Sequence, residues 1–436
     1  MTANYTFPDP IQGTRDTDDA FSQNLGILTQ WCNFPLSGQP PQTTVPTSFQ
    51  IGGVDIGSRY ITKSTYIDFY PYMANSGRTK PQLWVFGGNS LGQLGNGTTI
   101  FYSSPVQVGT LTDWKSVYSS FTGAGAIKSD GSLWTWGANN RGFLGNGTTI
   151  GYSSPIQVGN MTDWSKVVTG SDSMYAIKTD GTLWGCGYNS RGQLGNTTTI
   201  SYSSPIQIGN LSNWSQVCIG VNAMMGLQTN GTLWCCGYNY YGQFPLGSNG
   251  AFPFYSSPVQ VGALNDWAQL SFVPGGGVAI KTDGSLWYWG QNNTGQAGMG
   301  FVLPGYSSPV QVGALKDWAK VSVGGGGHVL AIKTDGSLWG WGANSFGQTA
   351  NNAANYSSPV QIGLLTNWKS IAAGNYSSFG LKTDGTMWSW GSGADGQLGL
   401  GNTINYSSPI QVGSLSTWKS ISSDGVTFAG IVDGYY

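Results

Sequence analysis

The chain has no glutamate: all 19 of its acidic residues are aspartates. It has one histidine, His328, and only 8% of its 436 residues are charged, against roughly 25% in ordinary globular proteins. Each shortage excludes something. Glutamate is a strong helix former and glycine, present 68 times, is a poor one, so helix is disfavoured throughout. A single histidine rules out a multi-histidine metal site and a repeated Ser-His-Asp arrangement. A formal net charge of −1 creates no field for nucleic acid or an acidic membrane, so no nucleic-acid partner is expected. No apolar run approaches the roughly 18 residues that span a bilayer. The opening MTANYTFPDP has neither a basic nor an apolar signal region, so neither membrane insertion nor a secretory leader is expected. The five cysteines (Cys32, Cys186, Cys218, Cys235, Cys236) are odd in number and lack Cys-x-x-Cys spacing, which suggests neither a disulfide framework nor a zinc site. No cofactor is expected either. The loop GGNSLGQLG is glycine-rich but lacks the lysine and following helix of a phosphate cradle.

What is present is aromatic and repetitive. With 19 Trp, 22 Tyr and 17 Phe, and 39% hydrophobic residues, the chain is too apolar to be disordered. Tyr-Ser-Ser-Pro begins at Tyr102, Tyr152, Tyr202, Tyr255, Tyr306, Tyr356 and Tyr406. A second marker is a tryptophan closing a TDW-like turn, from Trp114 and Trp164 to Trp418. A third is the Leu-Trp or Met-Trp pair, from Trp84 to Trp388. Each occurs seven times, about fifty residues apart, the signature of a repeat architecture.

Within a unit, turn chemistry separates four short strands, in the order SPVQVG, WKSVYSS, GAGAIKSD and GSLWTWG. The last two meet across Asp130-Gly131, read as a type I′ hairpin turn. Equivalent steps follow at Asp180-Gly181, Asn230-Gly231, Asp283-Gly284, Asp335-Gly336, Asp384-Gly385 and Asp433-Gly434. A lone sheet of this kind cannot bury both faces, so the sheets must stack. The expected fold is all-β: a seven-bladed β-propeller of four-stranded antiparallel blades. The final copy, FAGIVDGYY, stops where the others continue into Leu-Trp, and QLWVFGG at 82–88 has no upstream partner. Both oddities vanish if the N-terminal strand completes the last blade, three strands plus one, leaving no exposed sheet edge. Residues 83–436 then form the propeller and residues 1–82 an irregular arm, with a proline-rich linker at 35–48.

The runs LWTWGANNRGFLGNGTT, LWGCGYNSRGQLGNTTT and MWSWGSGADGQLGLGNT resemble the repeat of the regulator of chromosome condensation family. The resemblance covers roughly residues 83–434 and implies a seven-bladed propeller. It also implies that family's best-known activity, nucleotide exchange on a small GTPase by a propeller that is itself docked on chromatin, although this chain has no basic N-terminal tail and few charges for either face. The same repeat occurs in a secreted β-lactamase-inhibiting propeller and in phage structural proteins, and the arm faintly resembles phage attachment arms.

Candidate catalytic groups are scarce. Of the 19 aspartates, six sit in the repeated Asp-Gly hairpin steps, four precede the turn tryptophan, and six precede residue 82. Only Asp172, Asp395 and Asp424 remain, too dispersed for the positioned pair that acid–base catalysis needs. His328 reads as structural, and Cys186 and Cys236 as fillers where other units carry tryptophan. The irregular stretch GYNYYGQFPLGSNGAFPFYSSP supplies a candidate binding loop: Tyr240, Tyr241, Phe244, Phe252 and Phe254. The expectation is a non-enzymatic structural and recognition protein of a phage virion, in its tail. The arm contacts other virion proteins, the propeller meets a host-surface protein or glycan, and the chain forms homo-oligomers. The alternative is a cellular or secreted protein-binding propeller that inhibits or regulates a partner, such as a GTPase or an enzyme.

Overall fold

The computed structural model describes residues 50–51, 54–55, 80–239, 242–247, 254–351 and 354–434. One compact unit is Lys80–Gly434; the other comprises Met1–Thr79 with Tyr435–Tyr436. Of the latter, Gln50–Ile51 and Val54–Asp55 are described, as an antiparallel pair with Ile51 opposite Val54. The remainder of the arm expected at 1–82, up to residue 79, lies outside the described residues, as does Cys32.

Lys80–Gly434 folds into seven four-stranded antiparallel sheets, the propeller expected from the repeats. One blade consists of the inner strand Trp114–Ser119, then Gly123–Lys128, Leu133–Gly137 and the outer strand Tyr152–Gln157. Position within the blade dictates composition. The second strand is covered on both faces by neighbouring blades, so Ser173–Lys178 is buried at every residue. Outer strands such as Tyr152–Gln157 are half-buried or exposed throughout, and are polar accordingly. Small residues on second strands make room for the aromatics: a Cβ at Gly380 would lie 2.4 Å from the Trp368 ring.

Tryptophans join the strands and the blades. Trp114 meets Trp134 edge-on with ring centroids 6.0 Å apart, and the same contact recurs between Trp267 and Trp287. Such pairs contribute about 0.5–1.5 kcal/mol beyond burial. The buried Trp136 donates its indole N–H across the blade boundary to the Gln93 carbonyl at 2.9 Å. Trp289, Trp341 and Trp390 do the same to Gln243, Gln296 and Gln348. Cys186 and Cys236 fill this position as expected, and their thiols take over the bond, 3.4 Å from Phe143 O and 3.2 Å from Gln193 O. Burial pushes both thiols well above their ordinary pKa, so they stay protonated donors. Cys235 and its neighbour Cys236 point into different clusters, and both are free thiols.

Inner strands expose an edge, and adjacent blades supply partners to it. Ser271 Oγ accepts from Val323 N, Ser322 Oγ from Ala373 N, and Ser422 Oγ from Ser119 N, each at 3.0 Å. Gln216 bridges both the N–H and the carbonyl of Leu270. These bonds satisfy main-chain groups that the blade itself leaves open.

Three details differ from expectation. The Asp-Gly hairpins are not type I′, which would need positive φ at both residues. Gly131 has φ 82°, whereas Asp130 is not in the left-handed region. Gly131 N bonds Lys128 O and Lys128 N bonds Ser132 O, giving a three-residue loop whose final glycine is left-handed. The side chain explains the choice: Asp130 Oδ1 accepts from Ser132 N at 2.9 Å and from Ser132 Oγ at 2.6 Å. Ser132 Oγ then accepts from Trp134 Nε1, also at 2.9 Å. This Asp–Ser/Thr–Trp chain recurs at Asp180, Asp283 and Asp384. The seventh step, Asp433-Gly434, is not a turn at all. Thr427–Gly434 stays extended and pairs with Lys80–Gly87 along its whole length, from Thr427 opposite Gly87 to Gly434 opposite Lys80.

Ring closure is therefore two strands plus two, not three plus one. The closing blade comprises Trp418–Ser423 and Thr427–Gly434 with Lys80–Gly87 and Tyr102–Thr112. The reason is pairing: a Tyr-Ser-Ser-Pro strand folds back on the preceding Leu-Trp strand, as Trp388 opposite Gln411 shows. It is the outer strand of its own blade rather than the first strand of the next.

Candidate functional site

The two faces of the ring are chemically different. One carries the Asp-Gly turns and most of the charge, and that charge is largely engaged within the repeat. Lys178 Nζ lies 4.4 Å from the Trp184 ring centre and 5.1 Å from that of Trp164, and also pairs with Asp163 at 3.1 Å. Lys281 and Lys333 are held the same way by Asp266 and Asp317. Lys316 pairs with Asp283, and Lys419 with Asp433, each at 2.8 Å.

The opposite face is built from long loops between third and outer strands, such as residues 138–151, and from tight inner hairpins, such as 120–122. A buried asparagine holds each of the regular long loops. Asn139 Nδ2 donates to the Thr148 and Ile150 carbonyls at 3.0 Å each, and its Oδ1 accepts from Leu144 N at 2.9 Å. Asn89 and Asn189 do the same. The loop then rests on the next blade's hairpin, through Gln93 to Phe121 O and Gln193 to Asn222 Oδ1.

This scaffold prescribes Asn, Gly, Leu and Gly and leaves other positions to differ between blades, although Thr294 among them still bonds the next hairpin at Gly327 O. Two positions after the asparagine, successive loops carry Leu91, Arg141, Arg191, Tyr241, Thr294, Phe346 and Asp395. All but Thr294, which is half-buried, and Tyr241, outside the described residues, are exposed. Arg141 stacks over Tyr188 at 4.7 Å, and Arg191 over Tyr238 at 5.2 Å. Phe346 and Tyr376, both exposed, lie with ring centroids 5.1 Å apart. Phe121 and Val221 add exposed apolar surface on the inner hairpins. The variable face is thus a patchwork of aromatic, cationic and acidic groups on a rigid frame.

Asp424 sits in the inner hairpin of the closing blade. Its Oδ1 accepts from Val426 N and Thr427 N at 2.9 Å each, while its Oδ2 is buried without a partner. Burial raises its pKa to about 6 from an ordinary 3.8, against the lowering effect of those bonds. The folded chain therefore retains a proton that the unfolded chain has lost, and stability falls as pH rises through that interval. Asp424→Asn keeps the acceptor and removes the charge. It is expected to raise the melting temperature above about pH 7, by no more than about 3 kcal/mol in stability, and to change nothing below about pH 3. Thermal melts across pH check this; equal shifts at both ends would contradict it.

The candidate loop is only partly on this face. Tyr240, Tyr241 and Phe252 lie outside the described residues. Phe254 is exposed at the start of an outer strand. Phe244 requires a correction: it is 1% exposed and packs on Phe272, ring centroids 6.0 Å apart. It occupies the place of Leu94 and Leu144 in the repeat, and its N–H is held by Asn239 Oδ1 at 2.9 Å. Aligning the units position by position identifies Phe244 as core and Arg141, Arg191 and Phe346 as surface, a signal the composition of the loop concealed. His328, read from the sequence as structural, is fully buried, with Nε2 3.0 Å from Ser378 Oγ, and is kept neutral by burial that lowers its pKa to about 3. Among the described residues no three His, Cys or Asp side chains group to hold a metal ion.

These features define a closed seven-bladed repeat propeller with one self-engaged face and one variable face. The model of the RCC1-like domain matches residues 82–429, and the chain belongs to that family. Among curated relatives, the human probable E3 ubiquitin-protein ligase HERC6 is 34% identical over 102 residues, 23% of this chain and 10% of that protein. Human HERC3 is 38% identical over 72 residues, 16% of this chain and 7% of the relative. The matches thus cover a tenth or less of the length of those relatives. Among solved structures, Prp20p from Saccharomyces cerevisiae superposes with a TM-score of 0.72 at 19% identity, over 83% of this chain and 94% of its own. Human WBSCR16 superposes at 0.69 and 18% identity, over 82% of this chain and 99% of its own. At such identities the likeness is one of fold.

Proposed function

We propose that this chain is a non-enzymatic protein-binding propeller that regulates or positions a partner protein through its long-loop face. The observation that carries this is the row of exposed, blade-specific side chains at Leu91, Arg141, Arg191, Phe346 and Asp395 on an otherwise repeated scaffold. A fold that needs none of them, yet presents aromatics and arginines there, has the residue types that dominate binding surfaces. Family membership supports the reading. Prp20p has been studied for binding to Gsp1p and histones, and its complex with Kap60 is known. Those are that protein's partners; what they suggest for this chain is the class of ligand, a protein. The relatives are yeast, human and rodent proteins, which favour a cellular binding module, the alternative expected from the sequence. They lend no support to a phage tail role, to virion partners or to a host-surface ligand. The HERC proteins are probable ligases as wholes, and no catalytic role is carried over from them.

The test is to map binding by face. Crosslinking of the full chain in lysate, followed by Phe346→Ser with Tyr376→Ser, is expected to lose a stoichiometric protein partner. Leu364→Ser on the Asp-Gly face is expected to retain it. Capture that survives the first change and fails with the second, or no capture at all, would overturn the reading.

A further inference from the structure

The propeller contains two arginines, Arg141 and Arg191; apart from the neutral His328, every other basic residue from Lys80 to Gly434 is a lysine. Both arginines stand at the same repeat position, in the long loops of adjacent blades. Each guanidinium lies over a tyrosine from the next long loop, Tyr188 at 4.7 Å and Tyr238 at 5.2 Å. The tyrosines also share one repeat position, directly before the clamping asparagine, where the other loops have Gly88, Ala138, Gln291, Ala343 and Ser392. Arginine and tyrosine therefore occur together, twice, and nowhere singly. The fold does not require them, since the remaining blades close without either.

Neither guanidinium forms an ion pair or donates a side-chain hydrogen bond among the described residues, unlike the face-engaged Lys178, Lys281 and Lys333. A tyrosine ring beneath a guanidinium holds it by cation–π attraction and leaves its N–H groups free to bond elsewhere. A planar fork held in this way suits a carboxylate, which it engages through two parallel hydrogen bonds. Asn139 and Asn189 lock the loops that carry the pair, so little ordering is needed on binding.

We infer that Arg141 and Arg191 form a twin carboxylate-reading site for an acidic segment of a protein partner. This rests on the long-loop face being the binding face. Charge complementarity selects the occupant, and the surroundings refine it. Val221, 53% exposed, lies on the hairpin that Gln193 contacts beside Arg191, so an apolar side chain next to the acidic ones is accommodated. Nucleic acid fits poorly, because Arg141 and Arg191 are the only two cations that the long loops carry among the described residues. Backbone-phosphate binding relies on many neutralised charges.

The experiment uses the full chain and fluorescence anisotropy with a labelled Glu/Leu decapeptide. A Gln/Leu peptide of the same length, inorganic phosphate as competitor, and a single-stranded oligothymidylate are the comparison probes. Binding of the Glu/Leu peptide alone is expected, weakening with added salt. Arg141→Lys with Arg191→Lys is expected to weaken it about tenfold or more, since lysine loses both the fork and the stack. Tyr188→Ala with Tyr238→Ala is expected to weaken it several-fold while thermal melts show the ring intact. Equal affinity for the glutamine peptide, tighter binding of the oligothymidylate, complete displacement by millimolar phosphate, or undiminished binding by the lysine variant would each overturn the site. A partner that is lost with the Phe346 and Tyr376 changes but bound unchanged by the lysine variant would sink this site and leave the binding face standing.

Discussion

Val85→Pro is expected to unfold the ring as a whole rather than its closing blade alone. Val85 is fully buried at the centre of that blade, opposite Ala429 on one side and Val106 on the other. Proline there removes a ladder N–H in a strand paired on both edges, where sheets do not tolerate it. The cost is at least the ~3 kcal/mol of an interior helical proline. Phe86→Ala attacks the same seam by packing alone. Phe86 stacks on Phe428 with centroids 4.3 Å apart and lies 6.4 Å from Phe379 of the preceding blade. Its removal should cost about 3–5 kcal/mol. In a closed ring, opening one blade frees two sheet edges and unfastens every neighbour in turn. Calorimetry should therefore show one transition displaced to lower temperature. Hydrogen exchange should show lost protection as far away as Trp214–Gly220 and Trp267–Val273. Full protection there, with only Lys80–Thr112 and Trp418–Gly434 melting, would mean that the units behave as an open array.

Asn139→Ala is the second large effect, and it links stability to the binding face. The side chain is fully buried and satisfies Leu144 N together with the Thr148 and Ile150 carbonyls. Alanine leaves these groups without partners, at about 1–3 kcal/mol for each that stays buried. The expected result is a loss of about 2–4 kcal/mol and release of the loop bearing Arg141. Thermal melts measure the first, and protease nicking within 140–151 measures the second. Unchanged nicking with lowered stability would mean that the asparagine supports the core and not the loop. In the sixth blade Gly393 stands at this position, and Asn405 Oδ1 accepts from Gly393 N at 2.9 Å, a bond that Asn355 also makes to Asn344 N beside an intact clamp.

How the chain reads depends on the range of the interaction in question. Seven units of four antiparallel strands, without helix among the described residues, are written locally, in the fifty-residue period and in the alternation of apolar and small residues. They are local because each strand is decided by its own side chains and by the turn that follows. The buried role of Cys186 and Cys236 is equally local, since repeat register places them in a tryptophan's position. Turn type is local too, but it is decided by a bond that Asp130 accepts from Ser132, two residues on, and that dipeptide preference ignores.

The phase of the blade, and with it the two-plus-two clasp, depended on which of two neighbours a Tyr-Ser-Ser-Pro strand joins. Pairing energy is gained only once both candidates are in space, so alternation along the strand says nothing about it. The same limit explains Asp433-Gly434, a turn by its letters but an extended strand because Lys80–Gly87 arrives from the other end of the chain. It explains the candidate site as well. Aromatic composition drew attention to Phe244, which packing buries, while Arg141 over Tyr188 and Arg191 over Tyr238 are contacts between residues 47 positions apart. Only the assembled ring puts one blade's loop over the next, and that juxtaposition is what makes a surface out of residues the repeat leaves free.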